Sequence, residues 1–408
     1  MSESVPAGWG QAHIGSFGKV VTGSTPSTKK GEYWDGSIPF ISPADFDGSV
    51  FAKKTERYIT EKGLSVSREL PENTILVTCI GSIGGIAMTS TRSISNQQIN
   101  SIVCNDKNHP RFIYYLIQFN ISELERLAGK TTLPIINKST FELISLVLPP
   151  LPEQQKIASI LTSVDTVIEK TEAQINKLKD LKKAMMQELL TKGIGHTEFK
   201  DSPVGKIPKG WEVIKLSDYS NQITKGGTPT TYGFDWVDSG ILFLRSECVK
   251  EGKFSVSGSM CISQEAHDSM SRSKIHGGDI LITITGYIGN ACVFPTHLGE
   301  GNINQHIARV RIESPLLKRY IMYWLNSEQQ RREYLLIQTG QAYPQLSLKQ
   351  IQDTLIPCPQ NQEMERIVFC LDSMDAKLNN MDSKLSQTKS LKKALMQDLL
   401  TGKVRVAV

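Results

Sequence analysis

The sequence predicts a mixed α/β (α+β) protein with two similar domains, separated by a long antiparallel two-helix coiled coil and related by an approximate two-fold axis. Two observations predict this fold: a long internal repeat and a regular spacing of apolar residues inside it. Lys179–Thr191 returns almost unchanged as Lys389–Thr401, 210 positions later. Solenoid repeats are only about 20 to 50 residues long, so each copy here is a whole domain followed by its own helix.

The duplication extends upstream through both halves of the chain. Pro6–Trp9 matches Pro208–Trp211, and Thr22–Pro26 matches Thr224–Pro229 with one inserted residue. The remaining matches include two apolar segments that predict buried strands and two aromatic segments that predict helices: Ile75–Thr78 with Ile280–Thr283, and Arg111–Asn120 with Lys318–Asn326. Each domain is therefore expected to be mixed α/β, and the order is domain, helix, domain, helix.

The repeated C-terminal part of each half has the apolar pattern of a coiled coil. Steps of four and three residues place mostly apolar side chains on one stripe, with charged and amide flanks and no Gly or Pro between them. About 39 residues would form a rod near 58 Å long, which exceeds the width of a small domain. The alternative is that each stripe packs only on its own domain. The predicted coiled-coil core comprises Ile157, Leu161, Val164, Ile168, Ile175, Leu178, Met185 and Leu189, and Ile367, Leu371, Met374, Leu378, Met381, Leu385, Leu395 and Leu399.

Chain reach favours antiparallel pairing of the two helices. In a parallel pair the second domain would have to return along the whole rod, and the linker from Gly193 to Gly210 spans that length only when fully stretched. Antiparallel pairing needs no such strain and brings the end of the second helix, near Gly402, back to Gly8 and Trp9. The domains would then occupy opposite ends of one spacer, an arrangement suited to reading two separated sites in inverted orientation.

Composition is compatible with two domains and adds little about function. The 408 residues allow two domains of roughly 150 residues, each with its own core, and the net charge of +5 is only mildly basic. The start of the chain has no signal-peptide pattern, and no stretch approaches the roughly 20 apolar residues of a membrane span. The seven cysteines are scattered without a Cys-x-x-Cys pair. We therefore expect a cytoplasmic protein without zinc, disulfides or a membrane segment.

Three motifs resemble those of the specificity subunits of type I restriction-modification systems. They are Leu148–Ala158, with its Leu-Pro-Pro-Leu-Pro-Glu-Gln-Gln start, Leu181–Thr191, and the joint Gly205–Glu212. The resemblance covers essentially the whole chain. Two departures are local: Gly8-Trp9-Gly10 stands where the family has Gly-Trp-Glu, and the second helix begins Gln360-Asn361-Gln362-Glu363.

The resemblance implies a DNA-reading scaffold with defined segments. Target recognition domains would occupy residues 1–148 and 210–356, spacer helices 149–192 and 357–403, and a linker 193–209. Each domain would read half of a split, asymmetric sequence in double-stranded DNA, and the helices would bind two methyltransferase subunits. S-adenosylmethionine would belong to those subunits, and ATP and magnesium to further restriction subunits. This chain would bind no cofactor itself.

The residues independently argue against catalysis. Gly18-Lys19 and Gly205-Lys206 lack the remainder of a phosphate-binding P-loop. The pair Pro149-Pro150 is followed by Leu151, so the Asp/Asn-Pro-Pro-Tyr motif of an amino-methyltransferase is missing. Glu251-Gly252-Lys253 is an isolated nuclease-like fragment, and the histidines show no zinc spacing. We expect no catalytic residue and no metal site.

Candidate DNA contacts lie mainly in loops that both domains share. Thr22–Lys30 and Thr224–Thr231 combine hydroxyls, glycines and lysines that suit phosphate binding, and the amides of the two Asn-Gln turns suit adenine edges. For the turn amides the alternative is an internal structural role. The candidates in these loops and in the loop before each last strand are Thr25, Lys29, Lys30, Asn96, Gln97, Gln98, Lys130, Thr131 and Thr132, and Lys225, Thr228, Asn304, Gln305, His306, Gln341 and Tyr343.

The two domains differ most in segments 44–70 and 246–276. Segments that differ within a shared frame are where different half-sites would be read, although any one basic residue there is commonly just solvated surface. The candidates are Lys53, Lys54, Arg57 and Arg68, and Lys250, Lys253, Arg272 and Lys274. Tyr114, Tyr115, Tyr323 and Trp324 are expected in the core rather than stacked on bases. The rival interpretations are a standalone architectural or regulatory DNA-binding protein and an enzyme fused to a recognition domain.

Overall fold

The chain forms two compact units in the computed structural model, which describes residues 5–128, 134–340 and 343–407. The first unit comprises Met1–Glu172 and Ser383–Val408, and the second comprises Ala173–Asp382. Each unit therefore contains one mixed α/β domain, the start of the long helix that follows it and the end of the other long helix. None of the helices among the described residues is long and apolar enough to cross a membrane.

The first domain is built on a five-stranded and a three-stranded sheet. The predicted strand Ile75–Thr78 is confirmed, and it is fully buried at the centre of the larger sheet. In spatial order the larger sheet contains Gly18–Thr22, Ile99–Cys104, Ile75–Thr78, Ile86–Thr89 and Phe51–Ala52, and the smaller one Arg57–Ile59, Trp34–Ile41 and Ile94–Ser95. A separate antiparallel pair, Gly10–His13 with Ser145–Leu148, joins the two ends of the domain.

Helices cover one face of the larger sheet in the first domain. Pro110–Phe119 lies against it with an aromatic and aliphatic face that is almost completely buried. The same core includes Ile157 and Leu161 of the first long helix and Leu399 of the second. The shorter helices are Ile14–Phe17, Glu61–Ser65, Ile121–Ala128 and Lys138–Leu143.

The second domain repeats this plan with small differences. The predicted strand Ile280–Thr283 is confirmed and again fully buried. One sheet contains Gln222–Lys225, Ile307–Arg311, Ile280–Thr283 and Ala291–Val293, and the other Met260–Ile262, Ile241–Leu244, Glu300–Ile303 and Lys274–His276. Glu212–Lys215 pairs with Leu355–Cys358, as the equivalent terminal strands do in the first domain. The helices are Gln264–Ser269, Pro315–Leu325, Glu328–Ile337 and Leu348–Gln352.

The segment predicted as a plain linker contains a β-hairpin. Phe199–Ser202 and Gly205–Pro208 pair antiparallel, and Gly205 adopts a φ of +91° at the turn, where a residue with a side chain would be strained. Ile207 is buried in the core of the second domain, and Gln329 donates a hydrogen bond to the carbonyl of Val204. The linker is therefore a packed part of the second unit.

Two long helices follow the two domains, at Leu151–Thr191 and Asn361–Leu400. Every predicted stripe residue is buried or half-buried. The buried face is wider near the helix ends, because those turns also pack on a domain. Additional apolar side chains that are buried there include Ala158, Met186, Leu190, Met364, Val368 and Leu400.

Inside the first unit the two helix segments run antiparallel. Lys392 bonds to Asp165 at 2.7 Å, and Lys389 bonds to Glu172 at 2.6 Å, so residue numbers rise on one helix while they fall on the other. Asp165 also accepts a 2.5 Å hydrogen bond from the Tyr115 hydroxyl and lies 3.5 Å from Arg111. Burial together with this hydrogen bond raises the pKa of Tyr115.

The second unit contains the matching network with the roles of the helices exchanged. Lys182 of the first long helix bonds to Asp375 of the second at 2.5 Å, and the Tyr323 hydroxyl donates to Asp375 at 2.8 Å and to Asp372 at 2.6 Å. Arg319 pairs with Asp372. A buried charge stabilises only the register in which its partner is present, so each network specifies how the two helix segments align.

A second duplicated network holds the segment that follows each long helix against a domain. In the first unit, Glu153 accepts hydrogen bonds from the Trp9 indole at 3.2 Å and from Arg405 at 2.7 and 2.8 Å. The turn at Gly402 lies against Pro6 and Trp9, so the end of the second helix returns to the first domain within this unit. In the second unit, Glu363 accepts from Trp211 at 2.9 Å and contacts His196 at 2.9 Å.

Candidate nucleic-acid interface

Three loops meet at one end of the larger sheet in the first domain. Thr22 faces Asn100 across one strand pair, and Thr78 faces Ile99 across the next. The chain therefore enters or leaves these three neighbouring strands at the same end of the sheet. The loops there are 23–30, 79–85 and 96–98. Backbone hydrogen bonds from Gly23 to Ile99 (3.0 Å) and from Ser24 to Ser95 (2.8 Å) hold the first loop against the strand edge.

The second domain presents the same three loops. Lys225 faces Ala308 and Thr283 faces Ile307, which brings loops 226–232, 284–290 and 304–306 together. Gly226 lies so close to the carbonyl of Ile303 that a Cβ there would be 1.6 Å from the oxygen, and Gly23 has the equivalent problem at 2.0 Å from Asn96. Glycine at both positions is required by this close backbone approach.

A threonine and a glutamine are joined identically in both interfaces. The Thr25 hydroxyl donates to Gln97 Oε1 at 2.7 Å, and the Thr228 hydroxyl donates to Gln305 Oε1 at 2.9 Å. Both glutamines are exposed. Because the oxygen of each amide is occupied, its NH₂ group is left to donate to an acceptor such as adenine N7 or a phosphate oxygen.

The asparagines of the same turns act inside the fold. Asn96 Oδ1 accepts from the backbone of Gln98 at 3.1 Å, and its Nδ2 donates to Gln98 Oε1 at 2.8 Å. Asn304, which is buried, accepts from the backbone of His306 at 3.0 Å. The structural alternative therefore accounts for both asparagines and for the Gln98 side chain, which the sequence alone had left open.

His306 forms part of an exposed aromatic cluster in the second interface. Its ring packs edge to face with Tyr343 at 6.5 Å between centroids, and its Nε2 lies 3.1 Å from Gln305 Nε2. Tyr343 is 56% exposed and Tyr287, in the neighbouring loop, is 87% exposed. Tyr287 was not among the residues predicted from the sequence. Its position in the turn Gly286–Gly289, where the aligned residue of the first repeat is Ser82, was a usable signal.

Some predicted basic contacts are exposed and have no ion-pair partner among the described residues. Lys29, Lys54, Lys225, Lys250 and Arg272 are all exposed. Lys30 is exposed as well, and its ammonium group donates to the Tyr33 hydroxyl at 3.2 Å, which raises the pKa of Lys30. These groups can neutralise phosphates.

Other predicted basic contacts are used within the chain. Lys253 pairs with Asp382 of the second long helix at 3.3 Å, and Lys53 lines a cavity of about 470 Å³ beside Thr166 and Glu169 of the first. These two lysines lie against helices rather than at the strand ends, which argues against the predicted DNA contact. Two more side chains have internal partners: Lys274 pairs with Asp268 at 2.9 Å, and Arg68 donates to the carbonyl of Thr22 at 2.7 Å.

Arg57 differs from these because it is stacked on an aromatic ring. Its guanidinium carbon lies 3.5 Å from the centroid of the Trp34 ring, and the Trp34 indole donates to the carbonyl of Ser27 at 3.2 Å. Loop 23–30 is therefore packed beside this arginine. Lys130, Thr131, Thr132 and Gln341, the remaining candidates, lie outside the described residues.

The aromatic helix residues are core residues, as predicted. Tyr114, Tyr115, Tyr323 and Trp324 are at most 1% exposed. Among the described residues, no group of three His, Cys, Asp or Glu side chains is placed to hold a metal ion. Burial raises the pKa of the Cys79 thiol to about 11 and that of the Cys104 thiol to about 12, so neither is a ready nucleophile.

The duplicated interface agrees with a comparison against known protein families. Residues 6–180 and 208–388 each match the model of the type I restriction modification DNA specificity domain. The chain belongs to this family. The two matched ranges correspond to the two repeats, including most of each long helix.

Relatives of this family match over nearly the whole chain. The MjaVIII specificity subunit of a type I restriction enzyme from Methanocaldococcus jannaschii is 28% identical, covering 98% of this chain and 94% of the relative. The EcoBI specificity subunit from Escherichia coli is 24% identical, covering 82% and 73%. The crystal structure of a type I system S subunit from M. genitalium matches with a TM-score of 0.61 at 16% identity, covering 98% and 97%. That last similarity shows a shared fold.

Proposed function

We propose that this chain is the DNA-recognition subunit of a type I restriction-modification complex, and that each domain reads one half of a split, asymmetric target. One observation carries the proposal: the same exposed loop cluster is built twice, with the Thr–Gln pair retained and different side chains around it. Shared parts suit the invariant phosphate backbone, whereas differing parts suit two different base sequences.

The chemistry at each strand edge fits double-stranded DNA. Exposed lysines and loop hydroxyls supply sequence-independent affinity through phosphates, which the mild net charge of +5 alone would not supply. Gln97 and Gln305, which the two domains share, supply amide donors for phosphate oxygens. The charges of Lys29 and Lys225 add favourable long-range attraction on the same side of each domain.

We infer that the two long helices pair as an antiparallel coiled coil and set the spacing between the half-sites. Two findings support this inference: the stripe residues are buried or half-buried, and the Asp165–Lys392 and Asp375–Lys182 contacts are antiparallel within their own units. Similar networks in both units support an approximate two-fold relation, with the half-sites read in inverted orientation.

The helices also carry a surface that suits a protein partner, here the methyltransferase subunits. Position 181 is an exposed leucine, and so is position 391 in the second copy, at 49% and 53% exposure. Three further exposed residues of the next two turns are identical between the copies: Lys183, Ala184 and Gln187, with Lys393, Ala394 and Gln397. Lys183 also pairs with Glu328 at 3.4 Å. Packing inside the fold does not constrain the exposed leucine side chains, so a common external partner would account for their retention.

Most exposed positions earlier on the same helices are not retained in this way, although the pairs Ser163 with Ser373 and Lys179 with Lys389 are. Ser159 corresponds to Phe369, and Val167, which is 45% exposed, corresponds to Lys377. Retention is thus concentrated at residues 181–187 and 391–397. We propose that each copy of this segment, called the docking segment below, binds one methyltransferase subunit, giving two per chain.

The remaining chemistry would belong to the partners. S-adenosylmethionine would be bound by the methyltransferase subunits, and ATP and magnesium by restriction subunits that join the full complex, with all of them acting on DNA in the cytoplasm. This chain would supply the target address and no catalytic group. The alternative of a standalone DNA-binding protein predicts tight, specific binding without a methyltransferase.

The test is a genome-wide map of adenine methylation in cells that express this chain together with a type I methyltransferase subunit. The control expresses the methyltransferase alone. A split motif with two defined halves, present only with this chain, is the expected result. Methylation that does not depend on the chain would contradict the proposal and favour the standalone alternative.

A further inference from the structure

Arg57 in the first domain is held in an orientation that suits base recognition. Its guanidinium carbon lies over Trp34, at 3.5 Å from the ring centroid, and 5.7 Å from the centroid of Phe40. Those two rings are buried and pack edge to face at 5.2 Å. Stacking restrains the otherwise mobile side chain, so less conformational entropy is lost when its N–H groups form hydrogen bonds.

The hydrogen-bonding edge of Arg57 is not consumed by the protein. Within the described ranges, no carboxylate forms an ion pair with it, whereas Arg92 pairs with Glu61 and Arg126 with Glu123. The residue is exposed to solvent. An arginine that is both stacked and unpaired is poised to bind an external acceptor.

The position of Arg57 is continuous with the proposed DNA surface. It pairs across the strands with Phe40, and the next residue, Ile41, accepts a backbone hydrogen bond from Asn96 at 3.0 Å. Gln97 follows directly, and Trp34 is bonded to Ser27 of the neighbouring loop. Arg57 therefore lies beside the same loops that carry Thr25 and Gln97.

The second domain has a different side chain at the equivalent place. Phe243 corresponds to Phe40 and packs edge to face with Trp236 at 5.0 Å, as Phe40 does with Trp34. The residue that faces Phe243 across the strands is Met260. A thioether donates no hydrogen bond, so the two domains share an aromatic platform but differ in the group that it supports.

We propose that Arg57 reads a guanine in the half-site of the first domain by donating two hydrogen bonds to O6 and N7 in the major groove. Those two acceptors lie side by side on guanine and match the fork of a guanidinium group. Met260 leaves the second domain without this contact. This inference rests on the proposed function, because it assigns one residue of the same interface to one kind of base.

The test measures sequence discrimination rather than affinity alone. The full chain in complex with its methyltransferase is titrated with duplexes in which each base pair of the wild-type motif is replaced in turn. Wild type should lose roughly 5- to 150-fold in affinity when one particular G·C pair of one half-site is replaced. Arg57→Met introduces the residue found in the second domain. In this variant the ratio of affinities for the original and the substituted duplex should fall to near one, and discrimination at the other positions should stay unchanged.

Lys54→Met is the matched control, because it removes one exposed positive charge three residues away. It should leave the affinity ratios between duplexes at their wild-type values. If Arg57→Met weakens all duplexes equally, or retains full discrimination at every position, the inference is wrong. The ratio between duplexes does not depend on the folded fraction of protein, so a loss of stability cannot imitate the expected result.

Failure of the proposed function gives a separate outcome. A wild-type complex that binds every duplex equally would overturn the role in sequence recognition, and the assignment of Arg57 with it. A wild-type complex with a clear motif that Arg57→Met leaves unaltered overturns the assignment alone.

Discussion

In each unit one carboxylate joins the start of the domain to the segment that follows a long helix, and Glu153 is the example in the first unit. Its side chain is 5% exposed, accepts from the Trp9 indole and receives two hydrogen bonds from Arg405 of the C-terminal tail. The hydrogen bonds from Arg405 lower the pKa of Glu153 below its usual value of 4.5, and burial opposes them only in part. The tail after the second helix is therefore attached by a charged contact.

This contact predicts a pH-dependent stability in the first unit. A carboxyl group with a lowered folded pKa stabilises the protein above its unfolded pKa, and the contribution is lost as pH falls through the folded pKa. Glu153→Gln should lower the free energy of unfolding by about 1.5–3 kcal/mol at pH 7, the range for a hydrogen bond to a charged group. The difference from wild type should begin to shrink as pH falls below 4.5 and should vanish only once the pH is below the lowered folded pKa of Glu153.

Urea unfolding of both proteins between pH 3 and 7 measures this difference. Glu365→Gln is the control, since Glu365 is exposed on the second long helix. It should leave stability within about 0.5 kcal/mol of wild type throughout. A Glu153→Gln effect that is independent of pH would show that the charge is not what stabilises the tail.

At this scale the sequence was informative about residue types and much less about their partners. The Thr25–Gln97 pair could be suspected because Thr228 and Gln305 repeat it. The hydrogen bonds of Asn96 within its own turn could not be predicted, because a turn amide can bond to the backbone or to a ligand equally well and only the local geometry decides. Arg57 looked like any solvated cation, since its stacking on Trp34 depends on a strand pairing that is not visible in the sequence.

Among the elements, the two long helices combine an internal and an external surface. Their apolar stripes could be predicted because a 4-3 spacing that continues over nine steps is the pattern of a long helix with one buried face. The additional burial of Met186, Leu190 and Leu400 could not be predicted from the spacing, because it depends on where each helix end packs against a domain. The hairpin Phe199–Pro208 was overlooked when only the reach of the linker was considered, although Pro203 and Gly205 are turn residues.

The docking segment predicts where partner binding can be lost without unfolding the chain. Replacing both exposed leucines, as Leu181→Gln with Leu391→Gln, removes the apolar contact but keeps good helix-forming residues. The double variant should bind the methyltransferase subunit at least about tenfold more weakly, as measured by calorimetry, because exposed leucines at the centre of an interface become fully desolvated. Its melting temperature should stay near that of wild type.

Val167→Gln supplies the comparison for that experiment. Val167 is similarly exposed on the same helix, but its counterpart is Lys377, so it should not belong to a shared binding surface. Unchanged methyltransferase affinity is expected for this variant. If the double leucine variant binds as tightly as wild type, or if Val167→Gln weakens binding to the same extent, the docking segment is misplaced.

Considered as a whole, the molecule is two versions of one recognition unit on a single chain. Each unit has its own core, its own strand-edge interface and its own Asp–Lys and Trp–Glu networks. The duplication was visible in the sequence because the segments Lys179–Thr191 and Lys389–Thr401 are nearly identical. The bases that each interface reads could not be predicted from the sequence, because they depend on side chains such as Arg57 and Met260 whose surroundings are set by tertiary structure.

The most direct measurement is the adenine methylation motif after one domain has been exchanged. Residues 6–148 are replaced by the equivalent domain of the Methanocaldococcus jannaschii relative, which aligns along 98% of this chain, and the hybrid is expressed with the methyltransferase. If each domain reads its own half-site, one half of the motif should change while the other half stays as in wild type. A motif that changes in both halves, or in neither, would contradict the account.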